Sequence, residues 1–237
     1  MTMRTAALVL YLDGYCYQSY GWQTLRPLGE VQTVFSMLDD HQIDEIALIR
    51  PVREGDSLAA FERDVDRLAS LQTQSPLSFG GGIRELACFN AFERLPMERV
   101  LLSSAFVGGD AELLQNLQQR LGRQALQALL PLRRGDQELE VFHCAEGRFV
   151  PLSNLDRALL EQFANEVVVY DCDHEGTLGG FDFSLGDALQ LAPQRLILAG
   201  GLDPAGVKQA ATAGHAAVAI ENRILQQEYH PRRYRHG

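Results

Sequence analysis

The chain has 237 residues, of which 46% are hydrophobic, so it can bury a substantial core. Its 21 basic and 31 acidic side chains give a formal net charge of -10 at pH 7, which argues against general nucleic-acid binding and anionic-membrane binding. No apolar run approaches the roughly 18 residues that span a bilayer. Cys16, Cys88, Cys144 and Cys172 are scattered, so neither a disulfide framework nor a zinc site is expected, and a reducing cytoplasm is the simplest compartment.

Eight short apolar segments recur along the chain and are predicted to be β-strands. Most are apolar on both sides, which is typical of parallel strands that are buried on both faces. They comprise residues 6–12, 45–49, 77–79, 99–103, 125–130, 167–170, 195–199 and 216–220.

Amphipathic segments separate the strands and predict helices. Asp203 precedes Pro204, which is the pattern of a helix N-cap followed by proline in the first turn. Eight strand–helix units of about 30 residues predict a single closed (β/α)8 TIM barrel. A doubly wound open sheet is the alternative, and it would bind a ligand where its strand order reverses. No linker or change of composition divides residues 1–237, so one domain is expected.

Two segments depart from the regular alternation. Residues 137–150 are polar, with a turn near Glu146 and Gly147, and predict a small hairpin inserted after the fifth strand. Residues 228–237 form a basic tail, for which a solvated terminus is favoured over an anion-binding strip.

Glycine turns follow the third and seventh predicted strands. A pair of polar residues follows the fourth strand, and another pair follows the eighth. Glycine allows backbone N–H groups to converge on an anion, although a tight turn with positive φ is the simpler explanation for one such pair alone. Two matched turns at the carboxyl ends of barrel strands, where such enzymes keep their active sites, predict two phosphate sites. One consists of the first glycine turn, Gly81 and Gly82, with the serine pair, Ser103 and Ser104; the other consists of the second glycine turn, Gly200 and Gly201, with Asn222. Glu221 next to Asn222 would repel a phosphate, so the first site is favoured.

These turns resemble those of the histidine-biosynthesis barrels, and so does the segment 171–182, which reads Asp-Cys-Asp-His-Glu-Gly-Thr-Leu-Gly-Gly-Phe-Asp. The family includes the cyclase subunit of imidazole glycerol phosphate synthase and a ribonucleotide isomerase, and the segment is more similar to the cyclase. The resemblance covers nearly the whole chain and implies a TIM barrel built from two similar halves. It also implies a phosphorylated sugar or ribonucleotide-type ligand, and no cofactor or metal is expected.

The resemblance assigns acid/base aspartates to the ends of the first and fifth strands. Those positions are Leu10 and Pro131 here, and a third acidic position, after the second strand, is Arg50. Neither leucine nor proline can transfer a proton, so standard cyclase chemistry is not expected.

Three acidic residues remain as candidates for catalysis, namely Asp13, Asp173 and Glu175. Asp173 and Glu175 occupy the two acidic positions of the family motif after the sixth strand, and capping of the loop that follows is an equally good explanation. Arg50 could clamp an anionic substrate or could neutralise Asp13 or Glu54, and neither alternative is favoured.

Aromatic residues concentrate around the first strand-to-helix loop. Their rings could form the floor of a ligand site, although a loop packed over the rim of the barrel is slightly favoured. They are Tyr11, Tyr15, Tyr17, Tyr20 and Trp22.

Four charged residues lie at the N-terminal ends of the first, second, fourth and sixth predicted strands, namely Arg4, Glu45, Arg99 and Glu166. In the cyclases, the matching residues ring the bottom of the barrel and gate ammonia that enters from a docked glutaminase. Alternating charges could equally close the barrel floor with salt bridges. The resemblance therefore implies a glutaminase partner on this face.

Three functions remain open. The first is a divergent cyclase-like lyase that handles a phosphorylated ligand and receives ammonia from a glutaminase subunit. The second is a catalytically inactive barrel that serves as a phosphosugar-binding or scaffold subunit. The third is an enzyme of the histidine pathway with displaced catalytic groups, similar to the ribonucleotide isomerase.

Overall fold

The computed structural model describes residues 3–52 and 56–221. Its strands are β1 (Arg4–Leu12), β2 (Tyr15–Tyr20), β3 (Thr24–Glu30), β4 (Glu45–Ile49), β5 (Leu77–Gly80), β6 (Arg99–Leu102), β7 (Leu126–Arg134), β8 (Leu139–His143), β9 (Arg148–Pro151), β10 (Glu166–Asp171), β11 (Leu196–Ala199) and β12 (Ala217–Ile220). Its α-helices are α1 (Val31–Asp40), α2 (Leu58–Leu68), α3 (Leu86–Phe92), α4 (Ser104–Val107), α5 (Ala111–Leu121), α6 (Arg157–Phe163), α7 (Ser184–Asp187) and α8 (Pro204–Thr212). Single turns of 3₁₀-helix occur at Arg123–Ala125, Leu152–Asn154 and Pro193–Arg195.

Eight of the strands form a closed parallel barrel in the order β1, β4, β5, β6, β7, β10, β11 and β12. Strand β12 pairs with β1, and β7 pairs with β10, so the sheet closes on itself. Each barrel strand coincides, apart from a few terminal residues, with one of the eight segments predicted from the sequence. The prediction of an α/β TIM barrel is therefore confirmed, and the alternative of a doubly wound open sheet is wrong.

Four of the helices in the described part of the chain, α2, α5, α6 and α8, begin at a side-chain N-cap. The hydroxyl of Ser57 accepts a hydrogen bond from the Ala60 N–H at 3.3 Å and starts α2, which buries an apolar stripe against the sheet. The Asp203 carboxylate accepts one from the Gly206 N–H at 2.7 Å and starts α8, as its sequence predicts. No helix in the described part of the chain is long and apolar enough to cross a membrane.

Apolar side chains pack in two layers, one between the strands and the helices and one in the lumen of the barrel. Because the strands are parallel, all their carboxyl ends lie at one end, the mouth, and all their amino ends lie at the other, the floor. The lumen is filled by Ala6, Leu8, Leu10, Ala47, Ile49, Leu101, Val168, Tyr170, Ile197, Ala199, Ala217 and Ala219.

Two antiparallel hairpins extend from the barrel strands. Strand β1 turns back into β2 at Asp13 and Gly14, whose φ angles are 51° and 92°, and β3 then pairs with β2. Positive φ at both positions is the geometry of the two-residue hairpin turns for which Asp-Gly is a favoured pair. Strands β8 and β9 form the second hairpin, in the segment where the sequence predicts one.

Candidate functional site

The first glycine turn lies at the mouth, directly after β5. Gly81 and Gly82 have φ angles of +101° and +84°, and both are half-buried. A Cβ atom at Gly81 would lie 1.8 Å from the carbonyl oxygen of Arg50, and one at Gly82 would lie 2.8 Å from the Arg50 Nη1. Both positions therefore require glycine, whether or not an anion binds there.

The second glycine turn repeats this backbone contact after β11. A Cβ atom at Gly200 would lie 2.4 Å from the carbonyl oxygen of Asp171, and one at Gly201 would lie 2.6 Å from the Cβ of His174. Both glycines are buried, because the loop that carries His174 lies against them. The repeated backbone contact agrees with a barrel built from two similar halves. The first glycine turn is nevertheless more accessible to a ligand than the second.

The serine pair follows β6, the strand beside β5, and so lies next to the first glycine turn. The Cys144 thiol, in the turn between β8 and β9, donates a hydrogen bond to the Ser103 hydroxyl at 3.4 Å. Burial raises the pKa of Cys144, while the hydrogen bond to Ser103 and the charge of Arg84 oppose that rise. The exposed Arg84 therefore gives this side of the mouth a positive charge.

Asp13, a predicted catalytic residue, is exposed and lies close to a helix outside the barrel. It occupies the turn between β1 and β2, its side chain is 61% exposed, and its Oδ1 lies 3.5 Å from Arg67 Nη1 on α2. The hairpin explains this position of Asp13, because β1 turns back there into β2 instead of continuing into a long loop at the mouth. Its geometry is that of a turn residue.

The loop after β10 is held together by the buried Asp171. Its Oδ1 accepts hydrogen bonds from the backbone N–H groups of Asp173 and His174 at 3.0 and 3.2 Å. Its Oδ2 accepts one from the Asp182 N–H at 2.8 Å and lies 2.8 Å from His174 Nδ1. Asp173, the second predicted catalytic residue, is exposed and accepts a hydrogen bond from the Arg134 N–H at 2.9 Å. These contacts support loop capping.

Glu175, the third predicted catalytic residue, is buried at the mouth. The residue is only 4% exposed, and its Oε2 accepts a hydrogen bond from the backbone N–H of Trp22 at 3.0 Å. The Oε1 atoms of Glu175 and of Glu221, which follows β12, are both buried without a hydrogen-bond partner among the described residues. Burial raises the pKa of Glu221 to about 8; a hydrogen bond with Tyr170 opposes the rise, and the charges of Glu175 and Asp171 add to it.

Arg50 is fully buried, so its guanidinium does not face a ligand in the mouth. Its Nε lies 2.7 Å from Asp64 Oδ2, and its Nη1 and Nη2 lie 2.8 and 2.6 Å from the two carboxylate oxygens of Asp56. The residues that neutralise it are therefore Asp56 and Asp64, not Asp13, while Glu54 lies outside the described residues. Of the two roles that the sequence left open for Arg50, these contacts favour charge neutralisation within a buried ion pair.

The hairpin of β2 and β3 lies across the mouth towards β10. The rings of Trp22 and Tyr170 have their centroids 5.3 Å apart, and Tyr17 packs against the apolar lumen. A Cβ atom at Gly176 would lie 2.9 Å from the Cα of Tyr20, so the tip of the hairpin touches the loop after β10. This arrangement matches the alternative in which the aromatic segment packs over the rim.

The four charged residues at the floor form one connected floor network. Arg4 Nη1 lies 2.8 Å from Glu45 Oε2, its Nη2 pairs with Glu166, and Arg99 Nη1 lies 3.4 Å from the same oxygen of Glu45. Gln127 donates hydrogen bonds to Glu45 at 3.3 Å and to Glu166 at 3.0 Å. The amide of Gln127, which was not among the residues predicted from the sequence, therefore links the two carboxylates.

A cavity of about 10 Å³ lies in the lumen directly above the floor network. A space of this size is about sufficient for one water-sized molecule. It is lined by Glu45 and Gln127 and by the apolar residues Ala6, Leu8, Ala47, Leu101, Leu129, Val168, Ile197 and Ala219.

Three side chains of interest were absent from the sequence-based candidates, and each left a signal. Arg84 comes two positions after the first glycine turn, and Gln127 is a polar residue within an apolar strand. Tyr170 is the one ring in an otherwise aliphatic strand that leads into the family motif.

Asn222 lies outside the described residues. Within the described ranges, no group of three or more His, Cys, Asp or Glu residues is arranged to hold a metal ion.

Comparison with known proteins agrees with the resemblance in the motifs. A family model described as "Histidine biosynthesis protein" matches residues 57–230. An imidazole glycerol phosphate synthase subunit HisF from Lacticaseibacillus casei is 28% identical over 206 residues, which cover 84% of this chain and 81% of that protein. A protein of the same name from Mycobacteroides abscessus is 26% identical over 218 residues, which cover 88% and 81%. The chain therefore belongs to the histidine biosynthesis protein family.

Proposed function

We propose that this chain is a cyclase-like barrel that binds a phosphorylated sugar or ribonucleotide-type molecule between the first glycine turn and the serine pair. The observation that carries this proposal is the difference between the two glycine turns. The first is half-buried and lies near the exposed Arg84, whereas the second is buried beneath the loop after β10.

The chemistry of the two sides supports the same choice. Backbone N–H groups of a glycine turn, two hydroxyls and an arginine are donors suited to a phosphate group. The second glycine turn is instead close to Asp171 and His174, and the carboxyl groups of Glu175 and Glu221 lie on the same side of the mouth. A phosphate at the second glycine turn would meet carboxylates, which repel it, or protonated carboxyl groups, which supply no positive charge. The proposal therefore assigns one phosphate to the first site and none to the second.

A charge reversal at Arg84 tests this site. Arg84→Glu should weaken the binding of ribose 5-phosphate by roughly tenfold or more, because a charge-assisted hydrogen bond contributes about 1.5–3 kcal/mol. Isothermal titration calorimetry measures the change. Arg63→Glu, on the exposed face of α2, makes the same charge change outside the proposed site and should leave the affinity unaltered. Equal affinities for the two variants would place the phosphate elsewhere.

A catalytically inactive binding subunit is the second candidate, and the positions of the expected aspartates favour it. Leu10 lies in the apolar lumen, and Pro131 is a buried residue of β7 opposite Tyr170, so neither position offers a proton-transfer group. A barrel of this kind should bind phosphosugars without converting the cyclase substrate when ammonium salts are supplied. Turnover at ordinary rates would exclude this candidate and would direct mutagenesis to Glu175.

The floor supports a further part of the proposal, namely that a glutaminase subunit docks there and supplies ammonia. The relatives are named as subunits of a synthase, and the floor network stands below a cavity that suits a molecule as small as ammonia. The predicted gate residues Arg4, Glu45, Arg99 and Glu166 all take part in that network.

Arg99 is the residue of the network best suited to a docking test. Within the described ranges it makes one ion pair, at 3.4 Å, so Arg99→Gln should change the melting temperature little. The same variant should weaken a one-to-one complex with a glutaminase from the same cell by about tenfold, measured by sedimentation, because an interfacial charge contact is lost. Arg63→Gln serves as the control. If no glutaminase of that cell binds the wild-type chain, the floor network has only a structural role.

A further inference from the structure

The side of the mouth opposite the proposed phosphate site contains a group of side chains that phosphate binding does not use. Tyr170 lies near the end of β10, Glu175 in the loop that follows, Glu221 after β12 and Trp22 in the turn between β2 and β3. The Trp22 ring lies on Tyr170, the backbone N–H of Trp22 donates to Glu175, and the Tyr170 hydroxyl shares a hydrogen bond with Glu221. These four residues are called the mouth cluster.

The mouth cluster presents carboxyl oxygens whose hydrogen-bonding capacity is not used within the described chain. Glu175 is 4% exposed, and only its Oε2 accepts a hydrogen bond there, while its Oε1 and that of Glu221 are buried without a partner among the described residues. Burying such an oxygen away from any donor costs free energy, so buried polar groups are nearly always paired. Two of them in one cluster indicate a site that accepts hydrogen bonds from a ligand.

The chemistry of the mouth cluster selects one kind of ligand. A protonated primary amine carries three N–H donors and a positive charge, and the cluster offers two carboxyl oxygens and the Tyr170 hydroxyl oxygen as acceptors. The faces of Trp22 and Tyr170 attract a cation as well. A metal ion is a poorer fit, because the described residues contain no set of three or more acidic, histidine or cysteine ligands with suitable geometry. An anion is disfavoured by the carboxyl groups.

We propose that the mouth cluster of Glu175, Glu221, Tyr170 and Trp22 binds the protonated primary amine of a ligand. This inference rests on the proposed function, since the phosphate of the same ligand would occupy the first glycine turn and the serine pair. The substrate class then narrows to phosphorylated compounds that carry a primary amine.

The protonation state of Glu221 gives this binding a characteristic pH dependence. The groups that face Glu221 are Tyr170, Asp171 and Cys172 from the end of β10 and Glu175 from the following loop. Burial raises the pKa of Glu221 to about 8, so the carboxyl group is mostly neutral at pH 7. A cation binds the ionised form, so binding should tighten by up to about tenfold per pH unit below pH 8 and level off above it. A primary alkylammonium remains protonated throughout that range.

The single tryptophan of the chain, Trp22, allows a direct measurement of this binding. Methylammonium chloride, added at constant ionic strength, should change the tryptophan fluorescence in a saturable way, with a dissociation constant on the order of 10 mM for so small a ligand. Tetramethylammonium, which has the charge but no N–H donor, should bind at least tenfold more weakly, because only the attraction of the rings and the carboxylates remains. Glu221→Gln and Glu175→Gln should each weaken binding at least tenfold, and Glu221→Gln should also abolish the pH dependence. Glu62→Gln, on the exposed face of α2, is the matched control and should behave as the wild type.

The outcomes separate this inference from the proposed phosphate site. A response equal for methylammonium and tetramethylammonium, no saturable response, or unchanged affinity in Glu221→Gln would overturn the amine site. Arg84→Glu should leave methylammonium binding intact. Phosphate binding without amine binding would refute only this inference, and amine binding without phosphate binding would refute only the proposed function.

Discussion

Replacement of Gly81 by alanine is expected to lower the free energy of unfolding by about 4 kcal/mol or more, or to prevent folding. The added Cβ would lie 1.8 Å from the Arg50 carbonyl oxygen, which belongs to the backbone at the end of β4 and cannot rotate away. The φ angle of +101° adds strain for any residue other than glycine. Urea denaturation followed by circular dichroism measures the loss.

Gly14→Ala is the matched control for this substitution. Its φ angle is +92°, and no atom lies within 4 Å of the position that a Cβ would occupy. The control retains the backbone strain without the clash and should cost about 1–2 kcal/mol. If both variants lose the same stability, the close approach between the first glycine turn and Arg50 is not what requires Gly81.

Asp64→Asn is expected to lower the free energy of unfolding by about 3 kcal/mol, because it leaves the buried Arg50 with only part of its compensating charge. The Asp64 side chain is 4% exposed and lies 2.7 Å from Arg50 Nε, and the guanidinium also lies over the ring of Phe61. Thermal and urea denaturation of the purified variant measure the effect. Asp56 still pairs with the guanidinium, so the variant should remain folded.

Asp66→Asn on the same helix provides the comparison. Asp66 pairs with Arg94 at the surface, and both side chains are at least half exposed, so the loss should be below about 1 kcal/mol. If Asp64→Asn lowers the free energy of unfolding by an equally small amount, water hydrates the Arg50 guanidinium once its partner is neutralised. In that case the ion pair would contribute little to the stability of the fold.

The barrel was predictable because parallel strands buried on both faces appear as continuous apolar runs. Two departures have clear physical reasons. Strand β7 continues to Arg134, beyond the predicted end at residue 130, because Leu132 and the residues after it pair with β8. The first hairpin was not predicted, although Asp13 and Gly14 form a favoured two-residue turn, because the aromatic residues beyond them were interpreted as a loop.

The site was less predictable than the fold, because most of its contacts join distant parts of the chain. The motif after β10 identified Glu175, but the backbone N–H that it accepts from belongs to Trp22, 153 positions away. Likewise, the sequence placed Arg50 at a strand end, and only the structure shows that helix α2 supplies Asp64 to neutralise it. Local patterns indicate which residues reach the mouth, whereas burial and pairing decide what each can do there.

We propose that the two halves of the mouth differ, with an anion site at the first glycine turn and none at the second. A crystal structure of the chain soaked in inorganic phosphate tests this most directly. We expect one phosphate, contacted by Gly81, Gly82 and the serine pair and approached by Arg84. A phosphate at Gly200 and Gly201, alone or together with the first, would contradict it.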